Sequence, residues 1–311
     1  MITKHNLPLF HQTPKRRKFI ADLGKVAGAA AFLSSPFVSM ANTSLASNAP
    51  MTVGDIMDLF IAEIPEGPFK QTVDTLKAGN RNIEVTGIAT SMFATLDVIQ
   101  QAIEMKVNFI IAHEPTYYNH LDDTDWLKGD EVYQYKAELL KKNNMAVWRN
   151  HDYIHTHFPD GVQTGVVKKL GWEEYYNPKE RNRYQIPATS LKDLIDHVKE
   201  SLGIDTVRYI GDLSQSCQKV LLMPGASGGK RQIEMISKEK PDVLICGEIS
   251  EWETAEYVRD ARIKGENLSL VVMGHIDSEE PGSEFMAEWL QKNVPDIKVT
   301  HIPAKNPLSF Y

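Results

Sequence analysis

The sequence predicts an α/β protein, and three observations carry that prediction. Short apolar runs rich in Val, Ile and Leu alternate with amphipathic stretches from residue 83 to residue 302. Clusters of His and Glu follow three of these runs directly, where the strand ends of an α/β fold converge on a crevice. The composition, 42% hydrophobic and 24% charged over 311 residues, is that of a globular chain able to build a full core.

In chain order, Lys15-Arg16-Arg17-Lys18-Phe19-Ile20 comes first, then an Ala-rich apolar run over 26–38 and small residues ending Ser39-Met40-Ala41. This order resembles a twin-arginine export signal over 1–41, which predicts a periplasmic protein exported by that route, cut after Ala41, with a linker over 42–51. A basic amphipathic helix is the competing reading of the same residues. Cleavage would remove six Lys and Arg and one Asp, leaving 28 basic against 40 acidic residues and a net charge of −12. After the leader no run reaches the eighteen or so apolar residues of a membrane helix. The acidic balance offers no basic patch for nucleic acid, so a small-molecule substrate is the expected partner.

The first lobe, 52–184, reads as a strand over 83–89, a helix over 96–105, a buried strand Phe109–Ala112, a helix Glu131–Lys142 and a strand over 145–148. A loop over 178–187 leads into the second lobe, 185–311. There a helix Leu191–Leu202 capped by Ser190 precedes a strand over 220–223, a helix over 232–238, a strand Val243–Cys246 and a helix over 254–263. A strand over 270–273, a helix over 285–291 and a strand over 297–302 complete it. Cys217 and Cys246 fall in or beside apolar strands, which favours two buried thiols over a disulfide.

Three clusters carry the chemistry. Phe109-Ile110-Ile111-Ala112 runs straight into His113-Glu114-Pro115, leaving two adjacent donors at a strand rim. Asn150-His151-Asp152-Tyr153-Ile154-His155-Thr156-His157 follows the next strand, and five of the eight histidines after the leader lie between His113 and His157. Gly274-His275-Ile276-Asp277-Ser278-Glu279 follows a third strand, with His and Glu four apart as on one face of a helix. Imidazole mixed with carboxylate favours zinc, manganese or iron over calcium.

With these residues the chain resembles the Nif-three-like dinuclear metal centre family, whose members are often labelled type-two GTP cyclohydrolase I by similarity. That family's pattern is a strand ending in His-His-Pro, a later His-x-x-x-Asp, a glycine-rich turn, a Gly-Glu strand end and a terminal Gly-His-x-x-x-Glu. Here the terminal pattern stands as Gly274, His275 and Glu279, the turn as Pro224-Gly225-Ala226-Ser227-Gly228-Gly229, and the strand end as Gly247-Glu248. Two positions are exchanged: Glu114 replaces the second histidine and His155 the aspartate, so the inventory of three histidines and two carboxylates is kept.

The resemblance implies two α/β lobes of the Nif-three-like fold with a metal site between them, assembled as a homohexamer. It further implies two divalent transition metal ions held by His113, Glu114, His155, His275 and Glu279, with Glu279 bridging. Glu248, His151 and His157 are then the expected groups that move protons or orient ligands. The expected activity is hydrolysis by water activated between the ions, and the competing reading is a scaffold ring whose metals only staple the fold. An exported chain would seldom meet GTP, which counts against that substrate. Residues 225–230 lack the glycine and the Ser or Thr of a nucleotide phosphate loop, because Pro224 and Arg231 stand there, although the turn has backbone N–H groups for a single phosphate or carboxylate. His197 reads as a solvated surface residue, and Trp252 as a packing residue or the mark of an interface.

Overall fold

The computed structural model describes residues 50–309. The leader and residues 42–49 of the linker lie outside them. Ten strands form two five-stranded sheets among the described residues.

The first sheet has the order β1-β4-β3-β2-β10, from Leu76–Ala78 (β1), Ile88–Ser91 (β2), Phe109–Ala112 (β3), Ala146–Arg149 (β4) and Val299–His301 (β10). Only β1, at one edge, is antiparallel to its neighbour. The second has the order β5-β7-β8-β9-β6, from Arg183–Ser190 (β5), Arg208–Ile210 (β6), Ser216–Met223 (β7), Val243–Cys246 (β8) and Ser269–Val272 (β9). Its three central strands are parallel and both edges antiparallel.

Alternation along the strands assigns the faces. Ile88, Phe109, Ile111 and Trp148 share one core with Val220, Leu222, Ile245 and Val271, so the inner faces of both sheets contribute to it. Ala89, Ile110, Ala112 and Val147 point the other way, against helices Leu96–Glu104 (α2) and Glu131–Lys142 (α3). Leu221, Met223, Leu244 and Cys246 do the same against Gly229–Glu239 (α7) and Glu256–Ile263 (α8). Val53–Ile61 (α1), Asp152–Thr156 (α4), Gly161–Leu170 (α5), Leu191–Leu202 (α6) and His275–Asn293 (α9) complete the helices. Helices α5 and α9 pack closely enough that a Cβ on Gly165 would lie 2.1 Å from the Pro281 carbonyl oxygen.

The structure departs from the sequence reading at identifiable places. Within the expected loop over 178–187, Arg183 already begins β5; Pro187 is tolerated because β5 pairs on one side only. The last helix starts at His275 rather than 285, although Pro281 lies inside it. The last strand, read with the second lobe, pairs parallel with β2 of the first sheet. Cys217 and Cys246 are both free and buried, and burial pushes their thiols up to about 11 and about 12. No helix among the described residues is long and apolar enough to cross a membrane.

Candidate metal centre

Residues that leave β3 and β4 meet the start of α9. His113 and Glu114 follow β3 and are buried, 4% and 8% exposed. His151 follows β4, and His155 stands one turn later on α4. His275 and Glu279 face one another on the first turn of α9, 3.0 Å apart.

Each imidazole is oriented through its Nδ1. That of His113 faces the Asn150 carbonyl oxygen at 3.2 Å; a carbonyl only accepts, so this nitrogen carries the proton and Nε2 of the neutral ring offers a lone pair. His113 Nε2 is buried without a hydrogen-bond partner among the described residues, 3.5 Å from Glu279 Oε2. His151 Nδ1 lies 3.0 Å from Asp152 Oδ1, while the His151 backbone N–H donates to Asp74. His155 Nδ1 lies 3.1 Å from Asp160 Oδ2, an oxygen also bonded by Arg181. All three rings approach within 5.1 Å between centroids.

The carboxylates close the cluster. His275 Nε2 is 3.3 Å from Glu114 Oε1, and His155 Nε2 is 3.9 Å from Glu279 Oε1. Behind the cluster the guanidinium of Arg149, fully buried, holds Glu114 Oε2 at 3.2 Å. Glu279 lies against Gly225, whose φ of 66° and missing Cβ make room for it; a Cβ there would stand 2.2 Å from Glu279 Oε1.

Among the described residues two groups could hold a metal ion: His113, His151 and His155, and His113, Glu114 and Glu279, the ligand atoms in each within 4.8 Å of one another. Ligands bound at about 2.1 Å to one tetrahedral ion stand about 3.4 Å apart. The 3.0–3.5 Å contacts of His275 and His113 with the carboxylates are of that size. Burial opposes the charge on Glu279, but the imidazoles of His113 and His275 beside it outweigh it and hold the carboxyl far below the usual range. Burial also opposes a charged His275, yet Glu114 and Glu279 push its pKa up to about 10. Burial and the neighbouring His113 and His155 bring His151 down to about 4, which keeps it a neutral donor.

All five ligands expected from the sequence therefore converge. His151, expected to orient ligands, stands among the donors instead; its spacing of four from His155, on the turn after β4, was the available signal. Glu248 sits at the rim, half-exposed, its Oε2 3.3 Å from His275 Nδ1. His157 does not join the cluster, because its ring stacks on Phe60 and both nitrogens face acceptors, the Pro159 carbonyl at 2.7 Å and Glu63 at 3.3 Å. His197 is not on solvent alone: it stacks on Trp172 and meets the Leu170 carbonyl. The pattern missed the supporting residues Asp74, Arg149, Asp160 and Arg181, which lie among ordinary polar residues in the sequence.

The cluster opens on a cleft of about 1840 Å³, lined by Thr116, His120 and Lys136 beside the first sheet and by Arg181, Arg231 and Glu248 beside the second. That exceeds the roughly 300–1,000 Å³ of a small-ligand pocket.

Residues 51–307 match the family described as Duf34/NIF3 (NGG1p interacting factor 3). A Clostridium acetobutylicum protein named GTP cyclohydrolase 1 type 2 homolog is 27% identical over 229 residues, 70% of this chain and 80% of that one. One of the same name from Clostridium perfringens is 26% identical over 278 residues, 84% of this chain and all of that one. The crystal structure of a Staphylococcus aureus hypothetical protein superposes with a TM-score of 0.67 at 20% identity, covering 85% of this chain and 100% of that one. A Bacillus cereus protein related to NIF3 gives 0.66 at 17% identity, covering 84% and 99%.

Proposed function

Because this chain belongs to the Duf34/NIF3 family, we propose that the cluster is a two-ion centre and the protein a metal-dependent hydrolase. The observation that carries this reading is His113 Nε2, buried without a partner amid imidazole and carboxylate groups from two sheets. His113, His151 and His155 would hold one ion, and His113 or His275 with Glu114 and Glu279 the other. Imidazole with carboxylate suits zinc, manganese or iron. Bound there, such ions would supply Lewis acidity and lower the pKa of a coordinated water.

The chain's own groups do the rest. Glu279 touches His113 and His275 and lies near His155, so it would be a ligand shared by both ions. Asp152, Asp160 and the Asn150 carbonyl fix the rings. Glu248, free on one side and against His275 on the other, is the group at the rim able to accept a proton from substrate. The name of the clostridial relatives agrees with a hydrolytic reaction, and export by the twin-arginine route together with assembly as a homohexamer complete the proposal.

The test is metal analysis of protein purified without chelator, coupled to a panel of phosphoesters, amides and cyclic nucleotides. Two ions per chain and metal-dependent turnover of one class are expected. Fewer than one ion after reconstitution with zinc, manganese and iron would overturn the centre; two ions without turnover would leave a metal-stapled scaffold.

A further inference from the structure

Beyond the metal ligands, the cleft has a second polar feature. Lys136, on α3, is 4% exposed and lines the cleft. Its Nζ donates to the Thr116 carbonyl at 2.6 Å and lies 5.2 Å from the centre of the Tyr118 ring. No carboxylate among the described residues comes within 4.0 Å of it, and Asp122, whose charge reaches it, also faces two other cations. Asp122 is shared by Lys77 at 3.2 Å and Arg149 at 3.6 Å, and Glu114 is divided between Arg149 and His275. Lys77 and Arg149 thus stand against these two carboxylates, and Lys136 pairs with neither.

An independent observation lies beside it. Thr116 also lines the cleft, is fully buried, and its Oγ1 has no hydrogen-bond partner among the described residues. An ammonium buried without a counter-charge and a hydroxyl buried without a partner are both unfavourable, and one anionic group with several lone pairs relieves both. A cation would add to the charge excess and an apolar group would satisfy neither donor. Burial, offset only in part by Asp122, holds the Lys136 amine down at about 8, consistent with a missing counter-charge.

We propose that Lys136 and the Thr116 hydroxyl form an oxyanion seat in the cleft that takes the phosphate or carboxylate end of the substrate. The assignment rests on the metal-centre reading only for what acts on the rest of that substrate. It makes the substrate an anion with its reacting bond away from the anchored end, in keeping with a cleft larger than one small group requires.

The experiment is a pulse of acetic anhydride on the full-length, metal-loaded protein, with acetylation of Lys136 read by peptide mass spectrometry. Lys305, exposed on the same cleft and 3.8 Å from Asp97, is the internal reference. Arms contain inorganic phosphate, acetate, or chloride at matched ionic strength. Phosphate or acetate is expected to slow Lys136 about tenfold, as one to two charge-assisted hydrogen bonds would, with Lys305 unchanged. Protection by phosphate alone assigns a phosphate end, and by acetate alone a carboxylate end. Thr116→Val is expected to raise the protecting concentration about tenfold while leaving metal content unchanged. Equal labelling of Lys136 in all arms, or none in any, overturns the seat. Repeating the pulse on Glu279→Gln protein separates the two proposals. Protection that survives metal loss belongs to the seat, and protection that vanishes with the metal shows the anion on the ions and overturns it. A wild-type protein without metal but with protection would overturn the metal centre alone.

Discussion

The two sheets supply unlike halves of one centre. Beside the first, His113, Glu114, His151 and His155 leave two neighbouring strand ends, and each is fixed from behind by a carbonyl, a carboxylate or the Arg149 guanidinium. Beside the second, His275 and Glu279 come from a single helical turn and are fixed mainly by each other and by Gly225. One half is rigid through many independent contacts; the other depends on one turn. Damage should therefore be graded in the first half and nearly complete in the second.

The largest effect is expected from Glu279→Gln, which weakens contacts to three histidines at once. Metal content should fall below one ion per chain, as measured by plasma mass spectrometry, whereas His155→Ala should retain part of its metal. Equal loss from both would erase the proposed difference between the halves.

A second comparison lies within the first sheet's half. Charge balance alone suggests that Glu114→His with His155→Asp restores the usual family inventory at no cost, but the surroundings are not symmetric. Glu114→His removes a carboxylate from a fully buried Arg149, leaving Asp122 at 3.6 Å as its remaining acid. Breaking such a buried pair costs about 3 kcal/mol or more. His155 is partly exposed and Asp160 retains Arg181, so His155→Asp should cost about 1 kcal/mol. Urea unfolding of the two single variants in chelator checks the order. Equal costs would mean that Arg149 does not depend on Glu114.

The smallest effect separates two histidines six residues apart. His151→Ala should lower metal content, because its ring stands with His113 and His155. His157→Ala should leave metal content intact and lower stability by about 1 kcal/mol through the lost stacking on Phe60 and contact with Glu63. Metal loss in His157→Ala would place that ring in the centre after all.

Much of this was legible in advance where one local signal decided the outcome. Phe109–Ala112 and Val243–Cys246 are continuous apolar runs buried on both faces, and Leu191–Leu202 has a Ser cap and a Gly after its last turn; all three occur as read. Edge strands β5 and β6 were missed because half their residues face solvent and carry little hydrophobic signal. The spacing of His275 and Glu279 suits a helix face, yet the last helix is expected only from 285, since Pro281 and Gly282 disfavour a helix locally; packing against α5 at Gly165 outweighs that preference.

The sequence by itself determined the alternation of strands and helices and the three His and Glu clusters that follow strands, while the choice of five expected ligands among them came from the family resemblance. Only the tertiary structure decided that His151 stands with them and His157 does not. Both follow β4 within a few residues, but a histidine's role is set by what its ring nitrogens meet: Asp152 and the open cluster for His151, Pro159 and Glu63 for His157. It likewise decided that Lys136, which reads as one more lysine on a charged helix, is buried beside the cleft with no carboxylate of the described residues within 4.0 Å. Which carboxylates are already engaged by other cations is a property of residues far apart in the chain.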